Sequence, residues 1–354
     1  MRRLLAFTAM ILAFAPGAEG VAYAQPAPEP LVAAEKPLAA AEREQAVTEL
    51  ARTLEASFVF PEVGARYAVM LRANLAKGAY DGLSDPEDFG KRVTADLQAV
   101  SPDGHLRLAP RAVFAAARPA RGDAPQSALP NGPPGLEEAR MIGDVAYLRF
   151  NEFPNGPLTA HQALSFLLAH ADAKAVIIDA RPHRGGGLAV MDAILPLFYA
   201  QQTDLLRMDT RAGVTGPGAA PDGPTLVRQV SPPSIVRQDH VVTPDPGERR
   251  LQNTPVYYLT SRRTASAAEH LALAFKRTHR ATLIGETTYG AGHYGALLPI
   301  GARFAAFVPV GRTYDPDTGW DWEGKGVAPD VATGADEALD EALRRAKQAG
   351  AHPA

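Results

Sequence analysis

The chain has 354 residues, 46% of them hydrophobic, and a formal net charge of −3. That length supports one large domain with an appendage, or two modest domains, and the apolar share is enough to bury a sizeable core. Charge of both signs is interspersed, which argues against a nucleic-acid partner, and the lack of cysteine excludes thiol nucleophiles, thiolate-bound metals and disulfides.

The chain opens MRRLLAFTAMILAFAPGAEGVAYAQPAPEP. Arg2 and Arg3 precede an apolar run over 4–15, and Ala22, Tyr23 and Ala24 form a small-x-small cleavage pattern. This predicts a signal peptide over 1–24, cleavage near Ala24, and an exported protein, periplasmic or extracellular. The run is short for a membrane span, and no later segment is longer and as apolar, so no span is expected in the mature chain. An exported domain of this size can do without disulfides. Residues 25–37, rich in Pro and Ala, read as a flexible linker.

Helical spacing follows. Val47, Leu50, Ala51 and Leu54 form one stripe; Val63, Tyr67, Met70, Leu71 and Leu75 a second, stopping before Gly78; Phe89, Val93, Leu97 and Val100 a third, with SDPED as its start signal. They predict a small N-terminal helical domain over 38–100. In SPDGHLRLAP, Pro102 and Gly104 make a turn and His105 opens a short strand. Residues 116–138 read as a linker or surface loop, too short for an inserted peptide-binding domain.

From 143 strands alternate with helices. GDVAYLRF and AKAVIIDA read as strands, with helices over about 157–171 and 187–200. Residues 202–250, dense in Pro and Gly with short β-like pieces between, read as a loop-rich insertion. TPVYYLTS is a strand, ASAAEHLALAFKRT a helix, ATLIG a strand, and YGALLPIGARFAAFVPVGR a hairpin turning near Gly301, before a last helix at about 335–348. Such alternation predicts an α/β core with parallel pairing.

Several residues offer chemistry. Ser266 lies where a strand gives way to a helix, so it is exposed at the sheet's end, and the Ala267 N–H points out of the helix start toward any oxyanion. The same serine also fits an N-cap, with Glu269 completing a capping box. A serine nucleophile needs a base. His105, in a tight polar turn, is a candidate; it is equally an ordinary loop histidine. His270 is expected to face away from the helix N-terminus, and His279 and His293 fall in loops. The glycines 185–187 after AVIIDA supply unencumbered N–H groups for an anion, or a tight turn; they match neither a phosphate loop nor a dinucleotide fingerprint. Glu323, in WDWEGKGVAPDV, reads as an orienting acid or a surface carboxylate, and Asp103 has the same two readings. No metal-ligand spacing is present.

In order, SPDGHLRL, AVIIDARPHRGGG, PVYYLTSRRTASAAE, ATLIGETTYGAG and VGRTYDPDTGWDWEGKGVAPDV resemble the tail-specific, or C-terminal processing, serine peptidases. The similar branch is the one that includes the interphotoreceptor retinoid-binding protein and the tricorn core protease. The resemblance covers about 101–331, and residues 38–100 are similar to that branch's N-terminal domain. It implies a ClpP/crotonase-like α/β core over 101–350, with parallel strands and flanking helices. It implies Ser266 as nucleophile, His105 as base and Glu323 as the acid that orients it. The oxyanion hole would use N–H groups of Ala267 and of Gly185 or Gly186. Polypeptide substrates, an acyl-enzyme and neither metal nor cofactor follow, with homo-oligomerisation left open. A binder of apolar ligands on the same fold, or an esterase or amidase, are the alternatives.

Three departures from the family pattern stand out. His183 replaces the asparagine of the usual D-L-R-x-N-x-G-G. Gly104 replaces a serine that precedes the histidine in tricorn-like enzymes, leaving Asp103 as another orienting group. GETTYGAGHYG lacks the lysine of the Ser-Lys branch, and Lys276 lies too early.

Overall fold

The computed structural model describes residues 36–117, 135–216 and 218–351. The expected signal peptide and nearly all of the expected linker lie outside the described residues. The three helical stripes form α1 (Ala40–Ser57), α2 (Pro61–Ala76) and α3 (Pro86–Val100). Each turns its apolar face inward: Leu50 and Leu54, Tyr67 and Leu71, Val93 and Leu97 are fully buried. The SDPED signal works as a cap, because Asp85 Oδ1 accepts the Asp88 N–H at 2.9 Å.

The chain then forms β1 (Arg107–Pro110) and a short α4 (Arg111–Ala117) that the pattern did not predict. β2 (Leu136–Ile142), β3 (Val145–Phe150), α5 (Pro157–Ala169), β4 (Ala175–Asp179) and α6 (Ala189–Ile194) follow. α6 is shorter than expected: the chain tightens into a 3-10 turn at Leu195–Leu197, where Pro196 supplies no N–H to the ladder.

The 202–250 stretch, expected to be loop-rich with short β-like pieces, carries β5 (Thr203–Arg211), β6 (Leu226–Gln229) and β7 (Ile235–Val242), more strand than expected. Their pairing is fixed by cross-strand ion pairs, Arg207 with Asp239 at 2.6 Å and Arg237 with Asp209 at 2.7 Å, which sequence composition reads as loop polarity. The remaining elements are β8 (Val256–Thr260), α7 (Ala267–Thr278), β9 (Thr282–Gly285), β10 (His293–Ile300), β11 (Phe304–Tyr314), β12 (Val331–Ala332) and α8 (Ala338–Ala351).

Two sheets result. One runs β12-β9-β8-β4-β3-β2, parallel except for β2. Its strands are covered on both faces, and alternate residues divide between them. Leu148, Val176, Ile178 and Tyr258 share a core with α5 to α7; Tyr147, Ile177, Tyr257 and Leu259 pack with Ala338, Ala342 and Ala346 of α8. The other sheet is antiparallel: β11 pairs with β10 along one edge and with β1 and β5 along the other, and β7 and β6 extend it from β5. α1 to α3 pack on this sheet, sharing one core with Leu106, Leu108, Phe304, Ala306 and Val308. The protein is thus a mixed α/β fold with parallel strands, flanking helices and an N-terminal helical region.

β4 and β8 are adjacent and parallel. The loops leaving their C-terminal ends hold His183 to Gly187 and Ser266, which places both sequence features at one end of the sheet.

Candidate active site

Ser266 follows β8 as the residue before α7, with φ 56 and ψ −118. Among the described residues the only other non-glycine with positive φ is His279, an ordinary left-handed C-cap. A non-glycine residue held there stores about 1–3 kcal/mol of strain and needs its surroundings to over-determine it. They do so through Glu269, which is fully buried. Its Oε2 accepts the N–H groups of Ser266 and Ala291, both at 2.8 Å, and its Oε1 accepts Thr288 Oγ1–H and the Gly290 N–H, both at 2.6 Å. Burial pushes this carboxyl up, and the four donors oppose the shift. The Ala265 N–H donates to the His183 carbonyl at 3.0 Å, tying the elbow to the glycine loop.

That loop comes very close to the serine. A Cβ on Gly185 would lie 3.1 Å from Ser266 Oγ, and one on Gly186 only 2.0 Å from the Phe153 carbonyl oxygen; both glycines have positive φ. The Phe153 N–H donates to the Gly185 carbonyl and the Gly187 N–H to the Phe153 carbonyl, each at 2.8 Å. His183, the departure from the family's asparagine, is wholly buried against Phe153, and burial holds its pKa down at about 3. Its Nδ1 accepts the Gly185 N–H at 3.0 Å. This separates the two glycine candidates, because the Gly185 donor is occupied. The N–H groups of Gly186 and Ala267 have no hydrogen-bond partner among the described residues, and both line the same cavity of about 380 Å³ as Ser266.

A second cluster gathers Asp103, His105 and Glu323, which place one ligand atom each within 4.8 Å of one another. Asp103 Oδ1 accepts the N–H groups of His105 and Leu106, at 2.9 and 3.0 Å. Glu323 Oε1 accepts the Gly104 N–H at 2.6 Å, and its Oε2 those of Gly292 and His293 at 2.7 and 2.9 Å. N–H donors thus occupy most of the carboxylate lone pairs, and a metal ion would have to compete with them. The His105 ring stacks on Phe307 with centroids 5.3 Å apart, and its Nδ1 is buried with no partner. Burial pushes this imidazole down in pKa, against the upward pull of Glu323 and Asp103. No hydrogen bond joins its ring to Ser266, Glu323 or Asp103. Gly104 sits where a side chain would crowd Glu323, with a built Cβ 3.1 Å from Oε1, so Glu323 here engages the Gly104 amide.

His293, read from sequence as a loop residue, connects the two clusters. It opens β10, lines the Ser266 cavity, and its Nδ1 lies 2.7 Å from Asp103 Oδ2. Burial alone would depress it; the bond to Asp103 and the nearby Asp321 and Glu323 carboxylates instead raise it to about 9. Its sequence signal was faint: one histidine in a glycine-rich stretch, in the region where the Ser-Lys branch carries its lysine. His270 also departs from expectation. Four residues after Ser266 it lies on the same helix face and lines the same cavity instead of facing away.

The family model for "Peptidase family S41" matches residues 144–333, which is more than half of the chain. The chain belongs to peptidase family S41. Residues 37–145 match the model described as the N-terminal domain of Peptidase_S41 in eukaryotic IRBP. Among curated proteins, the carboxy-terminal-processing protease of Bartonella bacilliformis is 24% identical over 206 residues, which are 54% of this chain and 39% of that protein. This S41 chain thus spans about two fifths of the length of the curated relative it matches. Among solved structures, a putative peptidase from Parabacteroides merdae aligns with TM-score 0.56 at 16% identity, over 86% of this chain and 96% of the other. The photosystem II D1 C-terminal processing protease aligns with TM-score 0.54 at 16% identity, over 83% and 94%. The tricorn protease aligns with TM-score 0.51 at 13% identity, over 87% and 36%. At these identities the likeness is one of fold.

Proposed function

We propose that the protein is an exported serine peptidase that cleaves polypeptides through an acyl-enzyme. The observation that carries this reading is Ser266 held at positive φ in a cavity beside two N–H groups that have no partner among the described residues. Ser266 Oγ attacks the scissile carbonyl carbon, and its proton passes to His105, which burial keeps neutral and able to accept it. The oxyanion is received by the N–H groups of Gly186 and Ala267. His105 returns the proton to the leaving amine, and water then releases the acyl group. Glu323 acts on His105 through the Gly104 amide and by its charge, and proton transfer requires the imidazole to come within hydrogen-bond reach of the serine, a contact absent from the structure described. The mechanism needs no metal or cofactor. Export rests on the charge and apolar pattern of residues 1–24; among the described residues no helix is long and apolar enough to cross a membrane.

One observation favours a second assignment of the base: His293 lines the serine's cavity and is paired with Asp103. Its raised pKa of about 9 keeps it protonated at neutral pH, which suits a fixed cation better than a proton acceptor. Activated esters would be attacked by the same serine.

The test uses Ser266→Ala, His105→Gln and His293→Gln, with casein hydrolysis and fluorophosphonate labelling as readouts. We expect Ser266→Ala to abolish both, and His105→Gln to lower turnover by roughly 10³-fold or more. A larger loss in His293→Gln than in His105→Gln would transfer the base to His293. Wild-type turnover in Ser266→Ala would end the serine reading.

A further inference from the structure

The cavity that holds Ser266 is also lined by Asp192 of α6 and His270 of α7, which the catalytic scheme does not use. Asp192 of α6, His240 of β7 and His270 of α7 meet there in a chain. His240 Nε2 lies 2.9 Å from Asp192 Oδ1, and His240 Nδ1 lies 2.9 Å from His270 Nε2. His240 and His270 are 1% and 4% exposed, whereas the Asp192 side chain is 30% exposed. Asp192 and His270 both line the cavity.

The Asp192 carboxylate can only accept, so His240 Nε2 carries a proton toward it. One further proton lies between His240 Nδ1 and His270 Nε2. Burial and His240 hold His270 far below its ordinary pKa, so its ring adds no charge to the cavity. This end of the cavity therefore offers the Asp192 carboxylate. Asp222, exposed near its mouth, adds a second carboxylate. No Lys or Arg is among the lining residues, and Met208 and Leu226 supply apolar wall. The cavity's one cation, His293, has its charge taken up by Asp103 at the other end.

We propose that this end of the cavity is the subsite for the side chain next to the scissile carbonyl, and that it selects a basic residue, lysine or arginine, with Asp192 as charge partner and the His240–His270 pair as the support that aims it. The inference rests on the peptidase reading above. An aliphatic stem would lie along Met208 and Leu226 while its cationic tip meets Asp192. A glutamyl side chain would face the Asp192 and Asp222 carboxylates, which repel it.

The experiment compares acetyl-Ala-Ala-Ala-Xaa-aminomethylcoumarin substrates in which Xaa is Lys, Arg, norleucine or Glu. The same peptides are titrated by calorimetry against the Ser266→Ala protein, so that binding is read without turnover. We expect kcat/KM, and binding, to favour Lys and Arg over norleucine by about tenfold or more, with Glu last. The preference should shrink as salt rises, because it is a charge effect. Asp192→Asn keeps an acceptor for His240 and should bring the Lys to norleucine ratio to near one. Equal use of all four peptides, or a ratio unchanged in Asp192→Asn, overturns the subsite while leaving the peptidase reading in place. Lysine-selective binding to Ser266→Ala without hydrolysis by the wild-type protein would support the subsite and sink the peptidase reading.

Discussion

His293 Nδ1 and Asp103 Oδ2 lie 2.7 Å apart, across a sequence separation of 190 residues. The pair joins the start of β10 to the turn that carries His105. Both partners are almost wholly buried, so the ion pair is shielded from water, and removing either member strands the other.

This pair makes stability depend on alkaline pH. Burial would lower the His293 pKa, but Asp103 and the neighbouring carboxylates lift it to about 9 from 6.5. The folded protein therefore holds a proton that the unfolded chain gives up earlier. The stabilisation is complete below about pH 6.5 and is lost as pH rises to about 9 and beyond, amounting to roughly 3 kcal/mol. Urea unfolding between pH 6 and 10 should show this loss in the wild type, and His293→Gln should abolish the pH dependence across that window. A wild-type curve that parallels the variant would refute the pairing.

In the proposed mechanism His105 sets the acid limb of activity. Burial lowers its pKa, against Glu323 and Asp103, so the neutral base persists below pH 6.5. We expect the acid limb of kcat/KM to fall at a pH below 6.5. Glu323→Gln removes one upward influence and should move that limb lower still, while also reducing the maximum. An acid limb above pH 6.5 would show that some other group takes the serine proton.

Glu269 is the restraint that keeps Ser266 at positive φ. Glu269→Gln replaces an acceptor of four hydrogen bonds by a group with a donor end, which opposes at least one of the N–H or O–H groups now facing it. We expect a stability loss of about 2–4 kcal/mol, and a fall in kcat larger than the change in KM because the nucleophile relaxes. Thermal denaturation and steady-state kinetics on the same preparation would check both. Unaltered kcat in a destabilised variant would mean that the elbow holds its own geometry.

The elements that depend on short-range spacing are legible in the residue pattern alone. The Asp85 cap and the stripe at Phe89, Val93 and Leu97 specify α3, because capping and helical periodicity act within a few residues. The apolar strands β4 and β8, and the hairpin of β10 and β11, follow from the same kind of short-range pattern. Ser266 and the Gly185–Gly186 pair stand out because a strand-to-helix turn and adjacent glycines are local signals.

The sequence by itself therefore determined the α/β alternation, the place of Ser266 at the head of a helix and a glycine loop after β4. Only the tertiary structure decided which N–H of that loop is free, since His183 occupies the Gly185 donor through a bond its asparagine-position signal does not announce. It also decided that His293 joins Asp103, that His270 turns into the serine's cavity, and that Asp192, His240 and His270 form one chain. The strands over 202–250 belong to the same group, because Arg207 and Arg237 find Asp239 and Asp209 only once β5 and β7 are in register. The physical reason is common to all of them. A hydrogen bond or ion pair depends on side chains meeting to within a few ångströms, and partners on different elements are brought that close by packing, which residue spacing along the chain does not encode.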